Sequence, residues 1–202
     1  MIKVYGMSLS GNCHKVRMIL EALQLPYAWI EIDPGLGETR TAEFLARNPN
    51  GKVPVLEPEP GVYLAESNAI LFYLAEGSPL VPSDRLARAR VLAWLFFEQY
   101  SHEPFIAVAR FLRRFHPDPS SQHALAESKL AGGYRALEVM EGQLTREPFM
   151  VGGHYTIADI ALYAYTHVAD EGGFDLSRFP AINTWLVRVA AQPGYVAMAA
   201  AA

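Results

Sequence analysis

The sequence predicts a chain of two classes, an α/β domain followed by an all-α domain. Three observations carry this. Strand and helix signals alternate over residues 1–78, no convincing strand signal follows residue 84, and a Pro-rich stretch separates the halves. The predicted boundaries are 1–78 for the first domain, 79–84 for the linker Pro79-Leu80-Val81-Pro82-Ser83-Asp84, and 85–202 for the second domain.

The first domain opens with a strand candidate, Ile2-Lys3-Val4-Tyr5, and the turn-prone run Gly6-Met7-Ser8-Leu9-Ser10-Gly11-Asn12. Over 13–25 the apolar residues Val16, Ile19, Leu20 and Leu23 recur at helical spacing, and Pro26 stops that helix. Residues 27–32 read as a second strand, 32–37 as loop and 41–47 as a short helix. Strand, helix, strand in that order implies a parallel pair with a right-handed crossover. Residues 53–56 and 62–64 then form a hairpin around Glu57-Pro58-Glu59-Pro60-Gly61, and Ser67 opens a helix to about residue 76. The order βαβ then ββα is the thioredoxin-like arrangement.

The second domain begins with a strong helix from 85 to about 101, to which Ala89, Ala93, Phe96 and Phe97 lend an apolar face. Pro104 must break or kink it, because proline lacks a donor and clashes one turn back. The helical pattern resumes over 105–115 and returns at 121–144, 156–169 and 181–191. The Ala-rich run 197–202 reads as a frayed helix end.

Composition narrows the function. Of 202 residues 51% are hydrophobic and 19% charged, a globular balance, and the net charge of −4 argues against a nucleic-acid groove. The basic runs Arg85, Arg88, Arg90 and Arg110, Arg113, Arg114 read as solvated helix faces. A single cysteine, Cys13, excludes an internal disulfide framework and a multi-cysteine metal site. No signal-peptide pattern opens the chain and no apolar run is long enough to span a membrane, so a reducing cytoplasm is the simplest home. Gly35-Leu36-Gly37 is not a dinucleotide fingerprint, since the third glycine is missing.

Three stretches of the first domain carry chemistry. The loop Ser10-Gly11-Asn12-Cys13-His14-Lys15-Val16 runs into a helix, where orphan N–H groups and the helix dipole favour an anion. A hydroxyl at Ser10 can donate to a thiolate. Lowering a thiol pKa by two units takes about 2.7 kcal/mol. One hydrogen bond to a charged group gives about 1.5–3 kcal/mol and a helix end about 0.3–2 kcal/mol, so the two together suffice. Helix capping is the plainer role for the same serine. The second stretch is Asn50-Gly51-Lys52-Val53-Pro54: with a cis bond before Pro54, the Val53 N–H and C=O can pair with an extended peptide, and otherwise it is an ordinary turn into an edge strand. The third is Glu66-Ser67-Asn68-Ala69-Ile70. There Ser67 as N-cap favours a carboxylate and Glu66 accepts from an ammonium, or the pair is a capped helix with a surface glutamate.

These stretches, in this order and spacing and followed by an all-helical domain, resemble the cytosolic glutathione transferases over essentially the whole chain. Gly152-Gly153-His154-Tyr155-Thr156-Ile157-Ala158-Asp159 matches the family's capping motif, with Thr156 and Asp159 as a reciprocal cap and Tyr155 and Ile160 as a hydrophobic staple. The resemblance implies that Ser10 stabilises the glutathione thiolate. It further implies that the Val53 backbone pairs with the cysteinyl part beside a cis Pro54, that Lys52 approaches the glycyl carboxylate, and that Glu66 and Ser67 bind the γ-glutamyl end. Tyr5 lies too early to be a tyrosine-type activator. Bacterial members whose loop pairs a threonine with an asparagine make Asn12 a second candidate donor, and those members resemble disulfide reductases and peroxidases. Cys13, in the first turn of the helix, reads as a small buried residue.

The resemblance places the electrophile site between the domains, with Tyr100, Phe105, Val108 and Phe111 as apolar candidates and Ser8 and Leu9 facing them. Glu103 or His102 is then a candidate for the γ-glutamyl amine of a partner subunit in a homodimer. Glutathione is co-substrate, with no cofactor and no metal. Conjugation to a small hydrophobic electrophile in detoxification is the leading expectation. Glutathione-dependent disulfide or peroxide reduction and a non-catalytic glutathione-binding regulatory module are the alternatives. The zeta-type isomerases are a weak match, because their paired serines before cysteine and tryptophan are absent.

Overall fold

The computed structural model describes residues 1–198, which divide into two compact units, one of residues 1–76 joined by the tail from 192 and one of residues 77–191. Placing everything after 84 in the helical domain is therefore corrected at the tail, where Gly194 sits against the backbone of Glu21 and Ala22 at the end of the first helix. Of the run 197–202, residues 199–202 lie outside the described residues, and 197–198 are not helical.

The first unit runs β1 (Ile2–Gly6), α1 (Gly11–Ala22), β2 (Tyr27–Glu31), α2 (Ala42–Arg47), β3 (Val55–Glu57), β4 (Leu64–Ala65) and α3 (Ser67–Ala75). The sheet order is β2-β1-β3-β4, with β1 parallel to β2 and antiparallel to β3, and β3 antiparallel to β4. This is the thioredoxin-like order the sequence predicts. Strand alternation sends neighbouring side chains to opposite faces. Tyr5 and its partner Val55 pack with Phe44 of α2, Ile30, Ile32 and Val53. Val4 and Leu56, also paired, are fully buried on the other face. Helices α1 and α3 pack on each other, and their residues Val16, Ile19, Leu20, Ile70 and Leu71 are fully buried.

Two boundaries differ from expectation for physical reasons. Helix α1 ends at Ala22, since Gln24 adopts φ 53 and turns the chain before Pro26. The hairpin ladder starts at Val55, because the Val53–Pro54 bond is cis and Pro54 brings no N–H to a ladder.

The second unit holds α4 (Arg85–Phe97), a π-helical turn Glu98–His102, α5 (Glu103–Arg114), α6 (His123–Leu144), α7 (Ile157–Thr166) and α8 (Pro180–Ala190), with no strand among the described residues. Pro104 neither breaks the chain nor ends the helix. The wide π-helical turn precedes it, and the proline falls in the first turn of α5, where no intrahelical donor is needed. The buried residues of α4 are Val91 and Leu95. Ala89, Ala93 and Phe96 are exposed and continue, with Leu86 and Tyr100, an apolar stripe on the outer side. All ten residues of α7 are buried, which fits its apolar sequence. Among the described residues no helix is long and apolar enough to cross a membrane.

Candidate functional site

The site is built where α1 and α3 begin. Ser10 is the N-cap of α1 in extended geometry, its hydroxyl oxygen accepting the Cys13 N–H at 3.4 Å. A hydroxyl carries one donor and two acceptor positions, so capping and donation to a bound anion are compatible. Gly11 and Asn12 supply the first turn. Cys13 is completely buried, its Sγ accepting the Met7 N–H at 3.3 Å, and burial pushes the thiol up to about 12. It is therefore the inert, inward-facing residue the sequence suggests.

At α3 one expectation is corrected. Ser67 is the first helical residue and not the N-cap; that place belongs to Glu66, which adopts φ 68 and makes no side-chain capping bond. A non-glycine residue in this region costs on the order of 1–3 kcal/mol, and such strain tends to be held at functional positions. With no cap side chain laid over it, the positive end of α3 is met by the Ser67 N–H.

The hydroxyl of buried Ser67 is engaged elsewhere. It accepts from the Lys15 ammonium at 3.3 Å and donates to the Asn12 Oδ1 at 3.0 Å. Lys15 also donates to the Asn68 Oδ1 at 3.4 Å, and its side chain is fully buried. A lysine has only donors, so the single Ser67 proton must point at Asn12, and Asn12 must present its oxygen to Ser67. The Asn12 amide nitrogen is thereby the donor end of that side chain.

A second cluster holds the loop before Ser10. The Glu31 carboxylate accepts from the Ser8 N–H at 2.7 Å, the Ser8 hydroxyl at 2.6 Å and the Trp29 indole at 2.7 Å. Arg17 lies over the Trp29 ring at 4.3 Å and donates to Ser8 at 3.2 Å. Partial burial raises the Glu31 carboxyl, but the Ser8 and Trp29 hydrogen bonds and the Arg17 charge outweigh it and hold the group below its ordinary range. Gly6 is required beside this cluster: a Cβ there would lie 2.9 Å from the Trp29 ring and 3.2 Å from the Cys13 Sγ.

The other predicted positions fall as follows. Lys52 is exposed, and its carbonyl accepts from Asn48 at 2.8 Å. Val53 is half-buried and lies outside the ladder, beside the cis bond to Pro54. Tyr5 is not available as an activator: its hydroxyl donates to Glu57 at 2.6 Å, and burial with that bond pushes it up to about 12. Leu9 is half-buried, and Ser8 is committed to Glu31. In the helical unit, Tyr100 and Phe111 are exposed and Val108 half-buried. Phe105 belongs to the packing between α5 and α6, since a Cβ at Gly132 would come within 2.2 Å of its ring. His102 is fully buried and bonded to Thr166 at 2.9 Å, which removes it as a reach toward a partner; half-buried Glu103 accepts from Gln99 at 2.5 Å. Thr156 and Asp159 form the reciprocal capping box.

Sequence reasoning missed Lys15 and Glu31 as site residues. Lys15 stands four residues before Ile19 on the buried side of α1, an odd place for a solvated lysine. Glu31 pairs with Gly6 in the β1–β2 register, which puts it beside the loop that leads to Ser10.

Comparison with known proteins identifies the family. Residues 1–76 match the glutathione S-transferase N-terminal domain and residues 93–193 the C-terminal domain. A crystal structure of a glutathione S-transferase from Pseudomonas fluorescens is 56% identical, with 98% of each chain covered and a TM-score of 0.95. A glutathione transferase from Burkholderia graminis, solved with two glutathione molecules bound per subunit, is 26% identical over 96% of this chain and 85% of that one, with a TM-score of 0.83. The disulfide-bond oxidoreductase YfcG of Escherichia coli is 32% identical over 90% of this chain and 87% of its own length. With both domain models matched in order and a thioredoxin-like domain preceding an all-helical one, the chain belongs to the glutathione S-transferase family.

Proposed function

We propose that the chain binds glutathione, holds its sulfur as a thiolate and conjugates it to a small hydrophobic electrophile, with detoxification in the cytoplasm as the setting. The observation that carries this reading is Ser10 at the start of α1, where a hydroxyl and a helix N-terminus favour the same anion. The Val53 backbone next to cis Pro54 is the pairing edge for the cysteinyl part, Lys52 faces the glycyl carboxylate, and Glu66 with the Ser67 N–H receives the γ-glutamyl end. Asn12 is the second donor to the sulfur, with its amide turned by Ser67. The protein contributes positioning and charge stabilisation, and the carbon–sulfur bond forms as the thiolate displaces the leaving group.

A homodimer is part of the proposal. The exposed stripe Leu86, Ala89, Ala93, Phe96 and Tyr100 supports it, since contiguous apolar surface marks interaction sites. Light scattering at micromolar concentration should give twice the monomer mass.

A second reading, glutathione-dependent disulfide or peroxide reduction, draws support from the likeness to the disulfide-bond oxidoreductase and to the neighbour with two glutathione molecules per subunit. In it the same thiolate attacks a disulfide sulfur, expels a thiolate, and a second glutathione resolves the mixed disulfide. Turnover of a chloronitroaromatic compared with a mixed glutathione disulfide separates the two. Conjugation of the first with little reduction of the second supports the transferase, and the reverse supports the reductase.

A further inference from the structure

Lys15 projects from the first turn and a half of α1, yet none of its surface is exposed. Burying an ammonium costs several kcal/mol unless its surroundings compensate. Its hydrogen-bond partners here include two neutral oxygens, Ser67 Oγ at 3.3 Å and Asn68 Oδ1 at 3.4 Å, both on the first turn of α3. The positive end of the α3 dipole lies at the same place. The Lys15 ammonium and the start of α3 thus bring two positive features to one spot, which favours a carboxylate there. The lysine also sets the direction of the chain Lys15 to Ser67 to Asn12, because it can only donate and Ser67 has one proton to pass on.

We infer that Lys15 is a positioning residue for the γ-glutamyl carboxylate: its buried charge faces that subsite from beneath Ser67, and it fixes which way Ser67 and Asn12 point. This rests on the glutathione reading above. It implies that discrimination for the α-carboxylate of the ligand depends on a residue that need not touch it.

The test compares glutathione with an analogue whose γ-glutamyl unit is replaced by 4-aminobutyryl, which lacks only that carboxylate, by calorimetry on the full chain. Lys15→Gln should weaken glutathione about tenfold, in the range for losing one partner of a buried charge contact, and leave the analogue within about twofold. Lys15→Arg should keep most of the preference. Equal losses for both ligands, or no loss for either, would overturn the inference while leaving glutathione binding intact. Failure of the unaltered chain to bind glutathione would overturn the underlying reading and the inference with it. Should Lys15→Gln not fold, labelled lysine signals in the unaltered chain decide. The Lys15 signal, assigned with Lys15→Arg, should move with glutathione and not with the analogue, and equal movement or none would count against it.

Discussion

The hydroxyl of Ser67 donates to the side-chain oxygen of Asn12 at 3.0 Å, joining the first turns of α3 and α1 across 55 positions of sequence. Removing it leaves a buried lysine short of an acceptor and an amide oxygen short of a donor. Ser67→Ala should therefore cost about 1–3 kcal/mol of stability by chemical denaturation, the range for orphaning buried polar groups. It should also weaken glutathione binding. An unchanged denaturation midpoint would mean that the bridge contributes nothing.

Glu31 should govern the order of the loop before Ser10. Its folded carboxyl sits below the ordinary range, so its contribution is complete above that range and is lost as pH falls through the depressed value. The group is exposed, and solvent screening limits the effect on global stability to about 1 kcal/mol or less. Glu31→Gln should thus speed amide exchange at Ser8 and lower turnover while barely moving the melting temperature. Unchanged exchange at Ser8 would contradict it.

Cys13 should be chemically silent in the folded chain. Burial holds its thiol near about 12, far from a reactive thiolate at neutral pH. Alkylating reagents at pH 7 should label it only after unfolding, and Cys13→Ala should keep activity at a stability cost of about 1–2 kcal/mol. Stoichiometric labelling of the native protein with loss of activity would mean that the chain uses its own thiol.

Asp159 concerns folding alone. Its buried carboxyl accepts from the Met150 N–H, Thr156 N–H and Trp185 indole at 2.9 Å and from the Thr156 hydroxyl at 3.1 Å. Asp159→Ala strips all four and should cost about 3 kcal/mol or more, as broken buried networks do. Where the variant remains folded, its glutathione affinity should match that of the unaltered chain.

Much of this was legible in the sequence because the signals were local. The period of α1, the proline-rich hairpin and the Thr156–Asp159 spacing each depend on residues within a turn or two. What escaped depended on distant partners. The contact of the Phe105 ring with Gly132 was invisible because nothing local shows that the glycine opens a slot for it. The inner face of α4 could not be read because Phe96 and Leu95 are equally apolar, and only packing decides which turns inward. Lys15 and Ser67 meet across 52 positions, and Ser67 itself passed for a cap because the positive φ of Glu66 moves the helix start by one residue.

The most direct test is a pH titration of thiolate absorbance for glutathione bound to the unaltered chain and to Ser10→Ala. Bound glutathione should ionise well below its free value, and Ser10→Ala should raise that pKa by roughly one to two units, the worth of one charge-assisted hydrogen bond. Affinity at a pH where the thiol is protonated should change far less, because the carboxylate contacts remain. A silent Ser10→Ala, with the full rise appearing instead in Asn12→Ala, would contradict the assignment of the sulfur to Ser10.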